Sequence, residues 1–418
     1  MLPSRCRPTG SRIRGEAFAQ LHLQLTENSP QQLEMKSRNH RTKSRRASAP
    51  VVVDLFAGAG GSAVGASMAG ADCRLSVEID STACESLRRN ANKHGGEVLE
   101  FDVSALEGQD LRDLAALQPG EKLIVVGGPP CQPFSKAAYW TDPGHDASYR
   151  RARALGVRGE KPKPITTARA DDRRDLVAEF ARLVIESEAD GFVFENVPSI
   201  LHPRNRRIFE SLRTALEGAG YHTTFVDANS AAYGVPQLRR RVILMGARAV
   251  APRVPRPTHG LPGESDTLPR AVSAGQAFSA LRASVPDVEP EIVVAGRWAR
   301  ELNEIPPGKN YKALSAWAGH PAPVFEAETR FWSFLLKLHP DLPSWTVAAN
   351  PGPWVGPFHW ESRRLTTPEL AALQSFPRGY QFAGSRRERV RQIGNAMPPL
   401  LAAAMIRSVM QAVEGAVP

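Results

Sequence analysis

What is scarce in this chain narrows the possibilities first. Among 418 residues there are only four cysteines, Cys6, Cys73, Cys84 and Cys131. None is paired as C-x-x-C, so neither a metal cage nor a disulfide framework is expected, and a reducing, cytoplasmic setting is. No apolar run approaches the ~18–20 residues that span a bilayer, so no membrane partner is expected. The N-terminus lacks the apolar core of a secretory signal, and no internal repeat stands out.

What is plentiful is positive charge. Lys and Arg number 53 against 43 Asp and Glu, a formal net charge of +10. That balance suits an anionic partner, nucleic acid being the common one, although an arginine-rich proteome would give the same excess. Hydrophobic residues at 42% and charged residues at 23% describe an ordinary globular chain, long enough for two or three domains.

The charge is uneven. Residues 1–49 form a basic tail without apolar periodicity, most basic from Lys36 to Arg46, and disorder is expected there. From residue 50 short apolar runs recur: Val51–Phe56, Cys73–Val77, Leu123–Val126, Phe192–Phe194 and Val242–Met245. Helical stretches lie between them, at Thr82–Asn92, Leu176–Glu186 and Arg207–Glu217. The alternation predicts an α/β fold with a parallel sheet covered on both faces. Residues 251–361 differ, with frequent Pro and with Trp298, Trp317, Trp332, Trp345, Trp354 and Trp360, and read as a smaller, irregular domain. The last helix, near Pro399–Val413, is apolar on most sides and is expected to pack back into the first domain.

Three strand ends carry candidate chemistry. After the first strand, Asp54-Leu55-Phe56-Ala57-Gly58-Ala59-Gly60-Gly61 makes a glycine turn into a helix, where backbone can approach a ligand. Glu78 ends the next strand, where an acid can hold a ribose, and Asp102 follows Val98–Phe101. By itself this segment leaves several readings open, because Gly58-x-Gly60-x-x-Ala63 also fits a nicotinamide dinucleotide turn, or a tight turn with no ligand. After Leu123–Val126 comes Gly127-Gly128-Pro129-Pro130-Cys131-Gln132-Pro133-Phe134-Ser135. A lone cysteine is usually an inert core residue. One framed by stiff prolines at a strand end is aimed, which favours a nucleophile. Glu195-Asn196-Val197 follows Phe192–Phe194, either facing the same crevice or serving as a turn acid. In Gln237-Leu238-Arg239-Arg240-Arg241, alternation turns Gln237, Arg239 and Arg241 to one face, suited to a substrate's oxygens or phosphates.

Together and in this order these segments resemble the DNA (cytosine-5) methyltransferase family. Asp54–Gly61 is similar to its cofactor motif, Pro129-Pro130-Cys131 to its nucleophile motif, and Glu195-Asn196-Val197 to its Glu-Asn-Val motif. Gln237-x-Arg239-x-Arg241 is similar to its Gln-x-Arg-x-Arg motif. Arg364-Leu365-Thr366-x-x-Glu369 through Pro377, and Gln392-Ile393-Gly394-Asn395-Ala396-Met397-Pro398-Pro399, resemble its last two motifs. The resemblance covers roughly 50–250 and 362–415, so 50–250 with 362–418 is expected to be a Rossmann-like catalytic domain, and 251–361 the target-recognition domain.

The resemblance implies S-adenosylmethionine as cofactor, held by Asp54, Phe56, Gly58, Gly60, Gly61, Glu78, Asp102, Val103, Pro129, Leu176, Asn395 and Ala396. It implies Cys131, Glu195, Arg239 and Arg241 as catalytic residues, with Arg241 on the cytosine and Arg239 on the DNA backbone. Double-stranded DNA is the implied partner, met as a monomer, with restriction or defence proteins alongside. An RNA-modifying branch of the family has similar motifs, but the size of 251–361 and the DNA-type pattern favour DNA. Residues 136–171 form a long basic insertion, and there the resemblance gives no residue-by-residue guide.

Overall fold

The computed structural model describes residues 49–134, 171–264, 267–281, 292–326, 330 and 332–415. The basic tail to residue 48 and the insertion at 135–170 lie outside the described residues.

The apolar runs become strands β1 (Val51–Leu55), β2 (Asp72–Glu78), β3 (Glu97–Glu100), β4 (Leu123–Gly127) and β5 (Gly191–Asn196). They are followed by β6 (His222–Asn229), the two-residue β7 (Gln237–Leu238) and β8 (Arg240–Ala247). All but β7 form one sheet in the order β3-β2-β1-β4-β5-β8-β6. β1 and β4 are buried along their whole length, as strands covered on both faces must be.

The expected parallel pairing holds from β3 to β5. It fails at the other edge, where β8 runs antiparallel to both β5 and β6. The connection from Asn229 to Arg240 is too short for a parallel crossover, which needs a dozen or more residues, so the chain turns back on itself. β6 escaped the sequence reading because, as an edge strand, it is mostly polar and half exposed.

The glycine turn leads into helix α1 (Gly61–Ala69). Helix α2 covers Ser81–Arg89 and stops short of the expected Asn92. Asn90 ends it by donating from its side chain to the Ser86 and Gln381 carbonyls and accepting the Gln381 N–H. On one face of the sheet, helices α3 (Leu176–Glu186) and α4 (Arg206–Gly218) bury Phe180, Val184 and Phe209 against Val125, Phe192 and Phe194. On the other, Ala63 and Ala66 of α1 share a core with the C-terminal helix.

The C-terminal part supplies helices α5 (Thr367–Leu373), α6 (Arg386–Asn395) and α7 (Pro399–Val413). Leu401, Met405 and Val409 of α7 pack on Val52, Val193 and Ile243, as the sequence led one to expect. Arg386–Val413 is long and apolar enough by composition to span a bilayer, but 72% of its apolar window is buried inside the protein.

Part of 251–361 has its own core, built from Leu302, Ile305, Tyr311, Leu314, Phe325, Leu335 and Phe358. Other residues of 251–361 do not belong to that core. Ala274, Phe278, Leu338 and Val347 pack with Leu370, Phe376 and Ile393 of the C-terminal part. The tryptophans divide likewise: Trp298 and Trp354 pack against the small core, whereas Trp317 is 78% exposed and Trp332 53%.

Gly65 lets α1 and α7 touch, since a Cβ there would lie 2.4 Å from the Ala402 Cβ and 2.8 Å from the Pro399 carbonyl oxygen. Gly65→Ala is therefore expected to destabilise the protein by about 1–3 kcal/mol through overpacking. Urea denaturation checks this, and an unchanged midpoint contradicts it.

Candidate active site

The carboxyl ends of β1, β2, β4 and β5 open on one crevice, the place where parallel sheets bind ligands. It is a cavity of about 660 Å³. It gathers Phe56, Gly58, Glu78, Asp102, Val103, Pro129, Cys131, Leu176, Glu195, Arg241, Asn395 and Ala396. Four residues expected at the site, Asp54, Gly60, Gly61 and Arg239, do not line it.

At one end the walls suit a nucleoside. Phe56 takes a left-handed backbone at φ 56°, a strained conformation typical of functional turns, and brings its ring to the cavity. The Glu78 carboxylate is held from behind: one oxygen accepts the Gly58 N–H at 2.7 Å, the other those of Ile79 at 3.0 Å and Asp80 at 2.9 Å. Burial nevertheless pushes its pKa up. Asp102 accepts the Ser104 N–H, which fixes its backbone beside Val103.

Asp54, Gly60 and Gly61 work behind this wall. Asp54 is buried, its acidity suppressed by that burial, and accepts the Ala63 N–H at the start of α1. A Cβ on Gly60 would lie 2.6 Å from Leu87 Cδ2 and 2.7 Å from the Tyr380 hydroxyl, which donates to the Ala59 carbonyl. A Cβ on Gly61 would lie 2.1 Å from the Met397 carbonyl oxygen. The close approach these glycines permit is to Leu87 of α2 and to Tyr380 and Met397 of the C-terminal part.

At the other end lies the thiol. Asn196, at the tip of β5, donates to the Pro129 carbonyl at 3.1 Å. The Phe134 N–H returns to the Cys131 carbonyl at 3.0 Å, closing a turn. Arg174 stands 5.1 Å from the Phe134 ring centre, donates to the Pro133 carbonyl at 3.3 Å and reaches Asn205 at 2.7 Å. Neither Asn196 nor Arg174 was singled out as a supporting residue by sequence reading. For Asn196 the signal was its place within the Glu195-Asn196-Val197 motif; Arg174 lies in none of the motifs quoted above. Glu195 and Arg241 form an ion pair at 2.7 Å, each only about one-tenth exposed. Gly128 makes room for it, since a Cβ there would sit 3.1 Å from Glu195 Oε2.

Arg239 takes a different course from the one expected. It is 1% exposed and donates from Nη2 to the Gly394 and Ala396 carbonyls at 2.9 and 3.2 Å. Burial lowers its pKa to about 9. A side chain sealed this way does not grip a DNA backbone; it holds the Asn395–Ala396 wall of the cavity. Gln237 is likewise internal, bonded to Leu373, Gln374 and Val347. The expected facing of Gln237, Arg239 and Arg241 is present, but the face is turned inward.

Burial pushes the Cys131 thiol up, the charge of Arg241 pulls it down, and that of Glu195 pushes it up again. Removing Arg241 takes away the largest downward influence and leaves burial and Glu195 opposed only by Arg239 and a backbone hydrogen bond. Arg241→Ala is therefore expected to shift the pH profile of Cys131 alkylation to higher pH. Iodoacetamide labelling followed at the Cys131 peptide checks this, and a shift to lower pH contradicts it.

Residues 51–268 and 329–411 match the family of C-5 cytosine-specific DNA methylases. The chain is 34% identical over 388 residues to the type II methyltransferase M.SacI of Streptomyces achromogenes, covering 86% of this chain and 92% of that protein. It is 31% identical to M.NgoFVII of Neisseria gonorrhoeae, another type II methyltransferase, over 86% of each. In fold it is similar to a prophage-encoded DNA modification methyltransferase of E. coli, with a TM-score of 0.59 at 21% identity, covering 88% of this chain and all of that one. The chain belongs to the C-5 cytosine-specific DNA methylase family and is a DNA (cytosine-5) methyltransferase of the restriction–modification type.

Proposed function

We propose that the protein methylates C5 of a cytosine turned out of duplex DNA, through a covalent adduct between Cys131 and C6 of the ring. The observation that carries this reading is one cavity holding the Cys131 thiol, the Glu195–Arg241 pair and, at its far end, the Glu78 carboxylate. The residues fit S-adenosylmethionine. Glu78 has its backbone donors behind it and so keeps the lone pairs that face the cavity for ribose hydroxyls. Phe56, Val103 and Leu176 offer apolar surface to an adenine, with Asp102 beside them and Asn395 and Ala396 closing the pocket. When bound, this cofactor supplies an electrophilic methyl group.

The chain's own residues prepare the other reactant. Cytosine C5 is a weak nucleophile. The Cys131 thiol gives its proton to water as the sulfur bonds to C6, and the C5–C6 π pair moves onto C5 and, through C4, toward N3. Glu195 meets N3 with a proton, so charge does not accumulate there. Arg241 orients that carboxyl and offers N–H groups to the ring's O2. After C5 has been methylated, water takes the C5 proton, its electron pair re-forms C5=C6 as the C6–S bond breaks, N3 returns its proton to Glu195, and the departing thiolate is reprotonated.

Magnitudes give the ionisation of Cys131 a minor share. Fully ionising a thiol of pKa ~8.5 at neutral pH gains at most about 2 kcal/mol, at ~1.36 kcal/mol per unit, whereas enzymes supply ~8 kcal/mol or more. Glu195 and Arg241 therefore carry much of the acceleration. Turning the base out costs a few kcal/mol, which phosphate contacts offset. The Asp54 carboxylate and the Gly60–Gly61 turn support the cofactor from behind, and Arg239 supports Asn395 and Ala396. A monomer acting in the cytoplasm beside a restriction partner accords with this reading.

Cys131→Ser is expected to lose turnover while still binding the cofactor, a hydroxyl being a far weaker nucleophile. Near-normal methyl incorporation by that variant sinks the adduct. Glu195→Gln should slow single-turnover methylation by at least about tenfold; an unchanged rate removes Glu195 from the chemistry. Bisulfite sequencing of DNA from cells expressing the chain reads the modified base and its sequence context together.

A further inference from the structure

Among the described residues three arginines line the active-site cavity, and the chemistry above uses one of them, Arg241. Arg173 is gripped by Asp171 through bonds of 2.9 and 2.6 Å. Arg391 of helix α6 instead reaches across to another element. Its Nη2 donates to Asp80 Oδ2 at 2.7 Å, and Asp80 is the residue that caps α2. Both partners line the cavity, and their side chains are 37% and 31% exposed, which puts the pair at its mouth.

Two positions fix which end of the cavity this is. Asp80 follows Glu78 by two residues, and its N–H donates to Glu78 Oε1 at 2.9 Å. The Asp80 side chain thus starts beside the carboxylate that suits a ribose. Arg391 precedes Asn395 by about one turn, so both emerge on one face of α6. The guanidinium therefore stands at the nucleoside end, and it is held there firmly. One Asp80 oxygen accepts the Ala83 N–H at 3.0 Å while the other holds Arg391, so the carboxylate is fixed at both oxygens.

A tie between two helices would be the plainer role for such a pair. Helices α2 and α6 are already joined in the interior, however. Ser86 Oγ donates to Gln392 Oε1 at 2.5 Å, Gln392 Nε2 donates to the Ala383 carbonyl at 3.0 Å, and the Ala383 N–H returns to Ser86 Oγ at 2.8 Å. An ion pair one-third exposed adds little stability to that. Arginine also offers more than a tie needs, with five N–H donors in one plane and a flat face that stacks on rings.

We propose that Arg391 is a further cofactor-binding residue, one that contacts the adenosine part of S-adenosylmethionine, with Asp80 as its positioning partner. The pinned guanidinium donates to an acceptor of that moiety, a ribose oxygen or a ring nitrogen. Because Asp80 balances its charge, the pair suits an uncharged nucleoside better than the carboxylate at the cofactor's other end. The proposal rests on the S-adenosylmethionine reading above.

The test is calorimetric titration of the full chain with S-adenosylmethionine, S-adenosylhomocysteine and 5′-methylthioadenosine, the last of which keeps the adenosine and lacks the amino acid. Arg391→Met keeps an apolar stem and removes the donors. It is expected to weaken all three probes equally, by about tenfold, and to leave the thermal midpoint of the ligand-free protein unchanged. Arg391→Lys, which lacks the planar fork, should recover only part of the loss. Asp80→Asn still caps α2 and should weaken the probes less. Combined with Arg391→Met it should cost nothing more. Unchanged affinities in Arg391→Met overturn the contact. A loss confined to the two probes that carry an amino acid assigns Arg391 to the carboxylate and also overturns it. A lowered midpoint in both Arg391→Met and Asp80→Asn reduces the pair to a tie between helices, and additive losses in the double variant remove Asp80 from the positioning role. Failure of the wild type to bind any of the probes would strike at the cofactor reading itself and take this proposal with it.

Discussion

The site depends on a small set of buried donors aimed at the backbone of one late turn. Gln374 donates to the Ile393 and Ala396 carbonyls at 2.6 and 3.0 Å, and Arg239 to those of Gly394 and Ala396. Gln237 joins the two by donating to Gln374 at 2.7 Å. Helix α6 ends at Asn395, so its last carbonyls have no partner within the helix. Arg239 and Gln374 supply them from elements far away in sequence. Arg239 is stripped of water and, among the described residues, its Nε and Nη1 have no hydrogen-bond partner. Such a group is retained only where the geometry it enforces matters more than its desolvation.

That clamp also explains which parts were legible in the sequence. Strands β1, β4 and β5 announced themselves as short apolar runs because both of their faces are buried. Cys131, Glu195 and Glu78 were legible because a strand end followed by an unusual turn fixes where a side chain emerges. Gly60 and Gly61 were legible as glycines but not as to purpose. A glycine records that something comes close, not whether the neighbour is a ligand or Met397. Arg239 was misread for a related reason: alternation gives the face of a residue, and only tertiary packing decides whether that face meets DNA or the protein's own C-terminal turn. β6 and the reversal of β8 needed the length of their connection and the position of the sheet edge, neither of which leaves an apolar signature.

The reacting end embodies a conflict between two demands. Enclosure strengthens every electrostatic contact to the ring, yet the same enclosure makes the Cys131 thiol harder to ionise. Arg241 eases both sides, drawing the thiol down and holding Glu195 at 2.7 Å. One guanidinium therefore ties the nucleophile's acidity to the position of the residue that receives the displaced charge, and the two cannot be tuned separately.

Helix α7 covers a face of the sheet whose strands are all made before residue 250. On the ribosome, Val52, Val193 and Ile243 emerge long before Leu401, Met405 and Val409 exist to cover them. The nascent chain thus carries an open apolar face through the synthesis of more than a hundred further residues, the condition in which intermediates recruit chaperones or aggregate. Because the same C-terminal part contributes Asn395 and Ala396 to the cavity, a chain without it would lack both the cover of the sheet and that wall of the cavity. The final helix and the turn before it therefore complete the core and the cavity together.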